Sequence, residues 1–201
     1  RIGDVVSQAR AALGSWIKLG VVERVKVLLR AYANLEPHMN ELATLLAREM
    51  GKDIGRATGE VNGTVYGGPY IAEEAAAALK TIDAGGGTRI EYRPLGVAVV
   101  ISPWNYPLAM ANNLIVPALV AGNTIVFKPS EETPLIAQRF VDHLNEILPE
   151  NVLQIVHGDG EQGRALVESN VNIIAFTGSQ AVGKDIMQRA SGQLKRLVME
   201  L

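Results

Sequence analysis

The stretch "PLGVAVVISPWNYPLAMANNLIVPALVAGNTIVF", Pro94 to Phe127, carries no charged residue. On length alone it could cross a bilayer. Pro103 and Pro107, the Asn112–Asn113 pair, Pro117 and "AGN" at 121–123 argue otherwise, because each would leave backbone or amide groups unpaired in lipid. Two buried strands joined by a buried helix accommodate the same residues. "GVAVVIS" is a short, uninterrupted apolar run, as a strand shielded on both faces requires. "LAMANNLIVPALVAG" then reads as a helix and "NTIVFKP" as a second strand. The class is therefore α/β.

The alternation continues toward the C-terminus. "TPLIAQRFVDHLNEI" is a helix with Thr133 at the cap and Pro134 in the first turn. "NVLQIVHG" is a third strand and "EQGRALVES" a short helix. "VNIIAFTG" is a fourth strand, "QAVGKDIMQRAS" a helix and "KRLVMEL" a fifth strand. Apolar strands alternating with helices predict a mostly parallel, doubly wound sheet with right-handed crossovers.

Toward the N-terminus the pattern is helical. Asp4 can cap a short amphipathic helix through about Leu13, stopped at Gly14. "VVERVKVLLRAYANLE" (21–36) has helical apolar spacing. "EPHMNELATLLAREMG" (36–51) opens with Pro37 and closes on Gly51. A long segment runs from about Asp53 to Ile82. "GGG" at 85–87 breaks the chain, and "TRIEYRP" alternates like an edge strand.

Composition excludes several functions. Apolar residues make up 48% and charged residues 20%, the balance of a chain with a core. A net charge of −2 gives no electrostatic reason to expect nucleic acid or an anionic membrane. With no cysteine, thiolate metal sites and thiol nucleophiles are absent from these residues. His38, His143 and His157 are scattered without metal-ligand spacing, so no metal is expected. The sequence opens on Arg1 without a signal-peptide pattern, and a cytoplasmic location is expected.

Ligands of an open parallel sheet bind at the carboxyl ends of its strands. The distinctive motifs all fall at that edge: "SPWNYP", "KPSEE", "GDGEQG", "TGSQ" and Glu200. "GDGEQG" is either a dinucleotide turn or a tight strand–helix turn, and the acidic residue expected about twenty positions later is missing. "GSQAVGKD" looks like an ATPase phosphate loop, but Asp185 stands where a magnesium-holding Ser or Thr is needed. Gly178 and Ser179 could still meet a phosphate through helix-terminal amides. Lys128 and Glu131 offer a donor and an acceptor suited to a ribose diol, or are solvated loop charges. Trp104 and Asn105 offer an indole and an amide donor, or form a structural loop. Glu200 is either a buried carboxylate with raised pKa, useful as a base, or an outward-facing strand residue.

In this order and spacing, "SPWNYP", "AGNTIVFKPSEETP", "GDGEQG", "FTGS" and "LVMEL" resemble the aldehyde dehydrogenase superfamily from about Arg93 to Leu201. The helical first third fits its N-terminal region more loosely. The resemblance implies a Rossmann-like NAD(P)-binding domain over 95–201, an oligomerisation-type edge strand over 85–94 and an N-terminal helical segment over 1–84 packed on the cofactor domain. It implies NAD as cofactor, with NADP possible, and a small-molecule aldehyde oxidised to an acid through a cysteine thioester. Asn105 would supply the oxyanion amide and Glu200 the general base. Lys128 and Glu131 would hold the adenosine ribose, with Ser130 beside them. Trp104 and Ser179 would contact the pyrophosphate. Ile101, Gly160, Gly178, Val182 and Gly183 would shape the cofactor pocket. A homodimer or homotetramer is implied for the complete enzyme. The family's nucleophilic cysteine lies beyond the position of Leu201, so these residues alone are expected to bind cofactor without turnover. The alternative is a catalytically dead dinucleotide-binding or structural module.

Overall fold

The computed structural model describes residues 1–201. Four helices lead: α1 (Ile2–Lys18), α2 (Gly20–Ala33), α3 (Met39–Met50) and α4 (Ile54–Ala78). A 3₁₀ turn at Glu36–His38, opened by Pro37, precedes α3. Gly51, at φ 78°, ends α3 in the left-handed conformation that a Cβ disfavours. The Asp53 side chain caps α4 by accepting from Arg56 N at 3.0 Å.

Helix α1 does not stop at Gly14, and Arg1 rather than Asp4 occupies its cap position. A glycine inside a helix costs about 1 kcal/mol. The extra turn buries Trp16, whose indole donates to Leu119 O at 3.0 Å, and that burial outweighs the glycine.

Ile82, expected to close the long segment, instead opens β1 (Ile82–Gly85), antiparallel to β2 (Thr88–Ile90) in a separate two-stranded sheet. Gly85, Gly86 and Gly87 all have positive φ, which lets the chain reverse on itself there and draws Ile82–Gly85 into a hairpin. Every residue of this hairpin is exposed.

The main sheet is built from β3 (Val97–Ile101), β4 (Thr124–Lys128), β5 (Leu153–Ile155), β6 (Ile173–Thr177) and β7 (Arg196–Glu200). All its pairings are parallel, in the order β5-β4-β3-β6-β7. The crossovers are α5 (Pro107–Val120), α6 (Pro134–Asn145), α7 (Gly160–Glu168) and α8 (Gln180–Ser191). The uncharged stretch at 94–127 is thus β3, α5 and most of β4. No helix is long and apolar enough to cross a membrane.

Alternate strand residues feed two cores. Ala98, Val100, Ile125 and Phe127 join α5, α6 and the N-terminal helices. Val97, Val99, Val126, Ile174 and Phe176 join α7, α8 and the Val6–Ala9 stripe of α1. With α5 and α6 on one face and α7 crossing to β6, the second face of β4 and β5 would be bare. Helix α1 covers it, fastened where Gln154 Nε2 donates to Val5 O at 2.9 Å. Buried Arg24 ties the two groups of helices together, donating to Val120 O at 3.0 Å and Ile17 O at 3.2 Å. Its cation thereby satisfies the carbonyl ends of α5 and α1.

Candidate functional site

The strand order reverses at β3: β4 and β5 run out on one side, β6 and β7 on the other. Such a switch point opens a crevice at the carboxyl ends of the strands. A cavity of about 520 Å³ lies there, large enough for much of a dinucleotide. Ile101, Ser102 and Trp104 line it from the end of β3. Lys128, Ser130 and Glu131 line it from β4, Asp159 and Gly160 from the start of α7, and Gly178, Ser179 and Val182 from the β6–α8 turn.

Lys128 is buried, and desolvation pushes its ammonium pKa down while Glu131 and Asp159 oppose that shift. Its Nζ donates to Pro129 O at 2.8 Å and lies 3.8 Å from Glu131 Oε2. An ammonium has three donors, so capacity remains for a ligand. Half-exposed Glu131 is free to accept. One donor beside one acceptor is what a vicinal diol needs. Ser102 Oγ, buried in the same wall, has no partner.

The helix N-termini at this edge differ. Glu60 closes α5, accepting from Leu108 N at 3.1 Å and Ala109 N at 3.3 Å. Glu49 closes α6, accepting from Leu135 N at 2.7 Å and Ile136 N at 2.8 Å. Helix α7 is closed by its own capping box: Asp159 accepts from Glu161 N, and Gln162 accepts from Asp159 N. Only α8 begins with an uncharged side-chain cap, Ser179, which accepts weakly from Val182 N at 3.4 Å. An anion is favoured at a helix N-terminus that no carboxylate already occupies. The α8 end is therefore the phosphate-compatible one, and the glycine-rich turn before α7 is not.

Two glycines here, Gly178 in the turn and Gly183 inside α8, lie close against other side chains. A Cβ on Gly178 would lie 2.4 Å from the Phe176 ring, and one on Gly183 would lie 2.3 Å from Leu201 Cδ2. Gly183 is thus beneath the strand end and does not line the cavity. Lys184 is exposed away from the cavity, and Asp185 is held by Arg189 at 2.9 Å, so a phosphate-loop arrangement is not formed.

Asn105 and Glu200 lie outside the cavity walls. Asn105 is exposed; its Oδ1 accepts from Tyr106 N at 3.1 Å, which leaves Nδ2 as the free donor. Glu200 is not buried. It stands on outermost strand β7, on the face opposite Leu197 and Met199, where no helix covers it, and accepts from Thr177 Oγ1 at 3.3 Å.

Sequence reading missed several participants. Asp159 with Gln162 was legible as a capping box three residues apart. Arg164, which also lines the cavity, carried no signal. Glu49 and Glu60 look like ordinary helix charges, and only the fold shows what they cap. His38 and His143, far apart in sequence, stack at 3.9 Å, and Glu41 brings a third ligand-type atom within 4.8 Å. The ring planes are 14° apart, so their in-plane lone pairs do not converge on one centre.

A parallel five-stranded sheet with a crevice at its switch point is an open α/β ligand-binding architecture. The chain belongs to the aldehyde dehydrogenase family, whose model matches residues 1–201. It is 36% identical over 207 residues to D-glyceraldehyde dehydrogenase (NADP(+)) of Thermoplasma acidophilum, covering 100% of this chain and 42% of that protein. The structure of PnpE in complex with nicotinamide adenine dinucleotide superposes with a TM-score of 0.91 at 37% identity, covering 98% of this chain and 42% of that one. NADP-dependent glyceraldehyde-3-phosphate dehydrogenase from Bacillus halodurans, complexed with NADP, gives 0.92 at 33% identity, covering 100% and 44%. The chain thus spans about two fifths of these relatives' length and corresponds to their N-terminal, cofactor-binding part.

Proposed function

We propose that this chain supplies the cofactor-binding part of an NAD(P)-dependent aldehyde dehydrogenase that oxidises a small aldehyde to a carboxylic acid through a cysteine thioester. The observation that carries this reading is the cavity at the switch point, lined both by Lys128 and Glu131 and by the N-terminus of α8, which no carboxylate caps. The donor set fits a dinucleotide. Lys128 and Glu131 would take the adenosine ribose, with Ser130 alongside. Ser179, the α8 amides and the Trp104 indole would take the pyrophosphate. Ile101, Gly160, Gly178 and Val182 would form the remaining walls, and Gly183 would let α8 lie close beneath the strand that ends in Glu200. When bound, the nicotinamide supplies a hydride acceptor. The remaining tasks fall to residues outside the cavity. The Asn105 amide would donate to the aldehyde oxygen as negative charge develops on it. Glu200 would take a proton from the attacking water. The chain contains no cysteine, so on this reading the nucleophile would have to come from sequence outside these residues.

Glu131 favours NAD, because a 2′-phosphate beside its carboxylate is repelled; Lys128 and Arg164 are the cations that could offset this. The complete enzyme would act as a homodimer or homotetramer in the cytoplasm. Titration calorimetry of residues 1–201 with NAD, NADP and magnesium-ATP tests the reading. Binding of NAD or NADP without turnover is expected, with aldehyde-dependent NAD(P)H formation by the full-length gene product. Magnesium-ATP binding with no dinucleotide binding would overturn it.

A further inference from the structure

The turn that carries Asn105 is held by residues far from it in sequence. Lys52, just beyond α3, donates from Nζ to Asn105 O at 3.0 Å. The same ammonium lies 4.0 Å from the centroid of the Tyr106 ring, within cation–π range. It also forms an ion pair with Glu60 Oε2, and the two side chains are only 7% and 1% exposed. The other Glu60 oxygen accepts from Leu108 N and Ala109 N. One buried pair therefore grips residues 105 to 109 at both ends. Helix α5 has no side-chain cap of its own, and the Asn105 side chain is bonded only to the next backbone N–H.

Stability alone is a poor reason to bury this pair. Desolvating two charges offsets most of their attraction, and well-packed apolar residues of the same volume commonly serve as well. What apolar residues cannot do is fix a carbonyl and two amides in place. Asn105 O is oriented by Lys52, Tyr106 N is occupied by Asn105 Oδ1, and Nδ2 is left pointing free. Lys52 and Glu60 do not line the cofactor cavity.

We propose that Lys52 and Glu60 are positioning residues: through the backbone of residues 105–109 they aim the Asn105 amide at the aldehyde oxygen, so the N-terminal helices set the oxyanion donor. This rests on the role given to Asn105 above. Its signature is an effect on the chemical step that disappears when Asn105 is absent.

The test is a double-mutant cycle in the full-length gene product, reading the single-turnover rate of NAD(P)H formation and the cofactor Kd. Lys52→Met with Glu60→Gln strands no buried charge, and the Gln oxygen can still accept from Leu108 N and Ala109 N. In the Asn105 background this pair should slow the chemical step about 10- to 100-fold, the scale of a small misplacement of a catalytic group. In the Asn105→Ala background it should slow it less than about 3-fold, with the cofactor Kd within about 2-fold throughout. Glu60→Gln alone, the mildest change, should show the same dependence on Asn105 at smaller amplitude. Equal slowing in both backgrounds, or a rate unchanged in both, would overturn the proposal. So would a loss confined to cofactor affinity. A normal rate for Asn105→Ala by itself removes the oxyanion role and this proposal with it. An enzyme that binds no dinucleotide at all removes the proposed function instead.

Discussion

The two faces of the sheet arrive at the ligand edge differently prepared. On the α5 and α6 face, both helix N-termini are closed by carboxylates sent from the N-terminal helices, Glu60 and Glu49. On the α7 and α8 face the caps are local, and α8 carries only a hydroxyl. A helix N-terminus carries partial positive charge wherever it occurs. The N-terminal helices therefore decide which ends become anchors and which remains open to an anion. On the proposed function the same division separates the tasks: the pyrophosphate end lies on the open side and the Asn105 amide on the anchored one.

The strongest way to break this division is at Asn105. In the full-length enzyme, Asn105→Ala should lower kcat by about 10²–10³, the usual cost of losing one oxyanion donor, with cofactor Kd unchanged. A near-normal rate would take Asn105 out of the site. Next in size, Ser179→Asp closes the last open helix end with a carboxylate. Dinucleotide affinity by titration calorimetry should fall about 10- to 100-fold, whereas Asp159→Asn should change it less than about 3-fold. Equal effects from the two substitutions would mean that the anion sits elsewhere. Smaller again is the anchored side's share of stability. Glu49→Ala leaves Leu135 N and Ile136 N unpaired and should cost about 0.5–2 kcal/mol, the range of a lost N-cap, read as a lower urea midpoint. An unchanged midpoint would show that Glu49 anchors nothing. The smallest change is at the ribose end. Glu131→Gln should raise affinity for NADP relative to NAD by about 3- to 10-fold, since one like-charge contact is removed. An unchanged ratio would move Glu131 away from the 2′ position.

What the sequence disclosed follows from distance along the chain. Parallel strands covered on both faces must be uniformly apolar, so the uncharged run from Pro94 to Phe127 announced β3, α5 and β4 with little ambiguity. The cavity was legible for a similar reason: each strand end carries its own short motif, and the topology needs only to bring the ends together. Contacts between distant residues were not legible. Lys52 reaches Asn105 across 53 positions, and nothing in "GKDIGRATGEV" distinguishes Glu60 from a solvated helix charge. Glu200 shows a related limit. Its strand was correctly placed, but whether a strand residue is buried depends on what packs over that face, and no local pattern records this. Gly14 misled because a propensity of about 1 kcal/mol was set against the burial of Trp16, which only the tertiary fold reveals.

Helix α1 has a kinetic consequence. It covers the second face of β4 and β5, yet its tie to β5 joins residues 149 positions apart, Val5 and Gln154. At a synthesis rate of about 5–20 residues per second, roughly 7–30 s pass between the appearance of Val5 and that of its partner. The Val6–Ala9 stripe has no sheet to lie on until β3 and β4 have been made, and its hydrogen bond to β5 comes later still. Helix α1 is thus made well before the strands it docks on, and until they form the nascent chain carries an exposed apolar helix face, a natural handle for a chaperone.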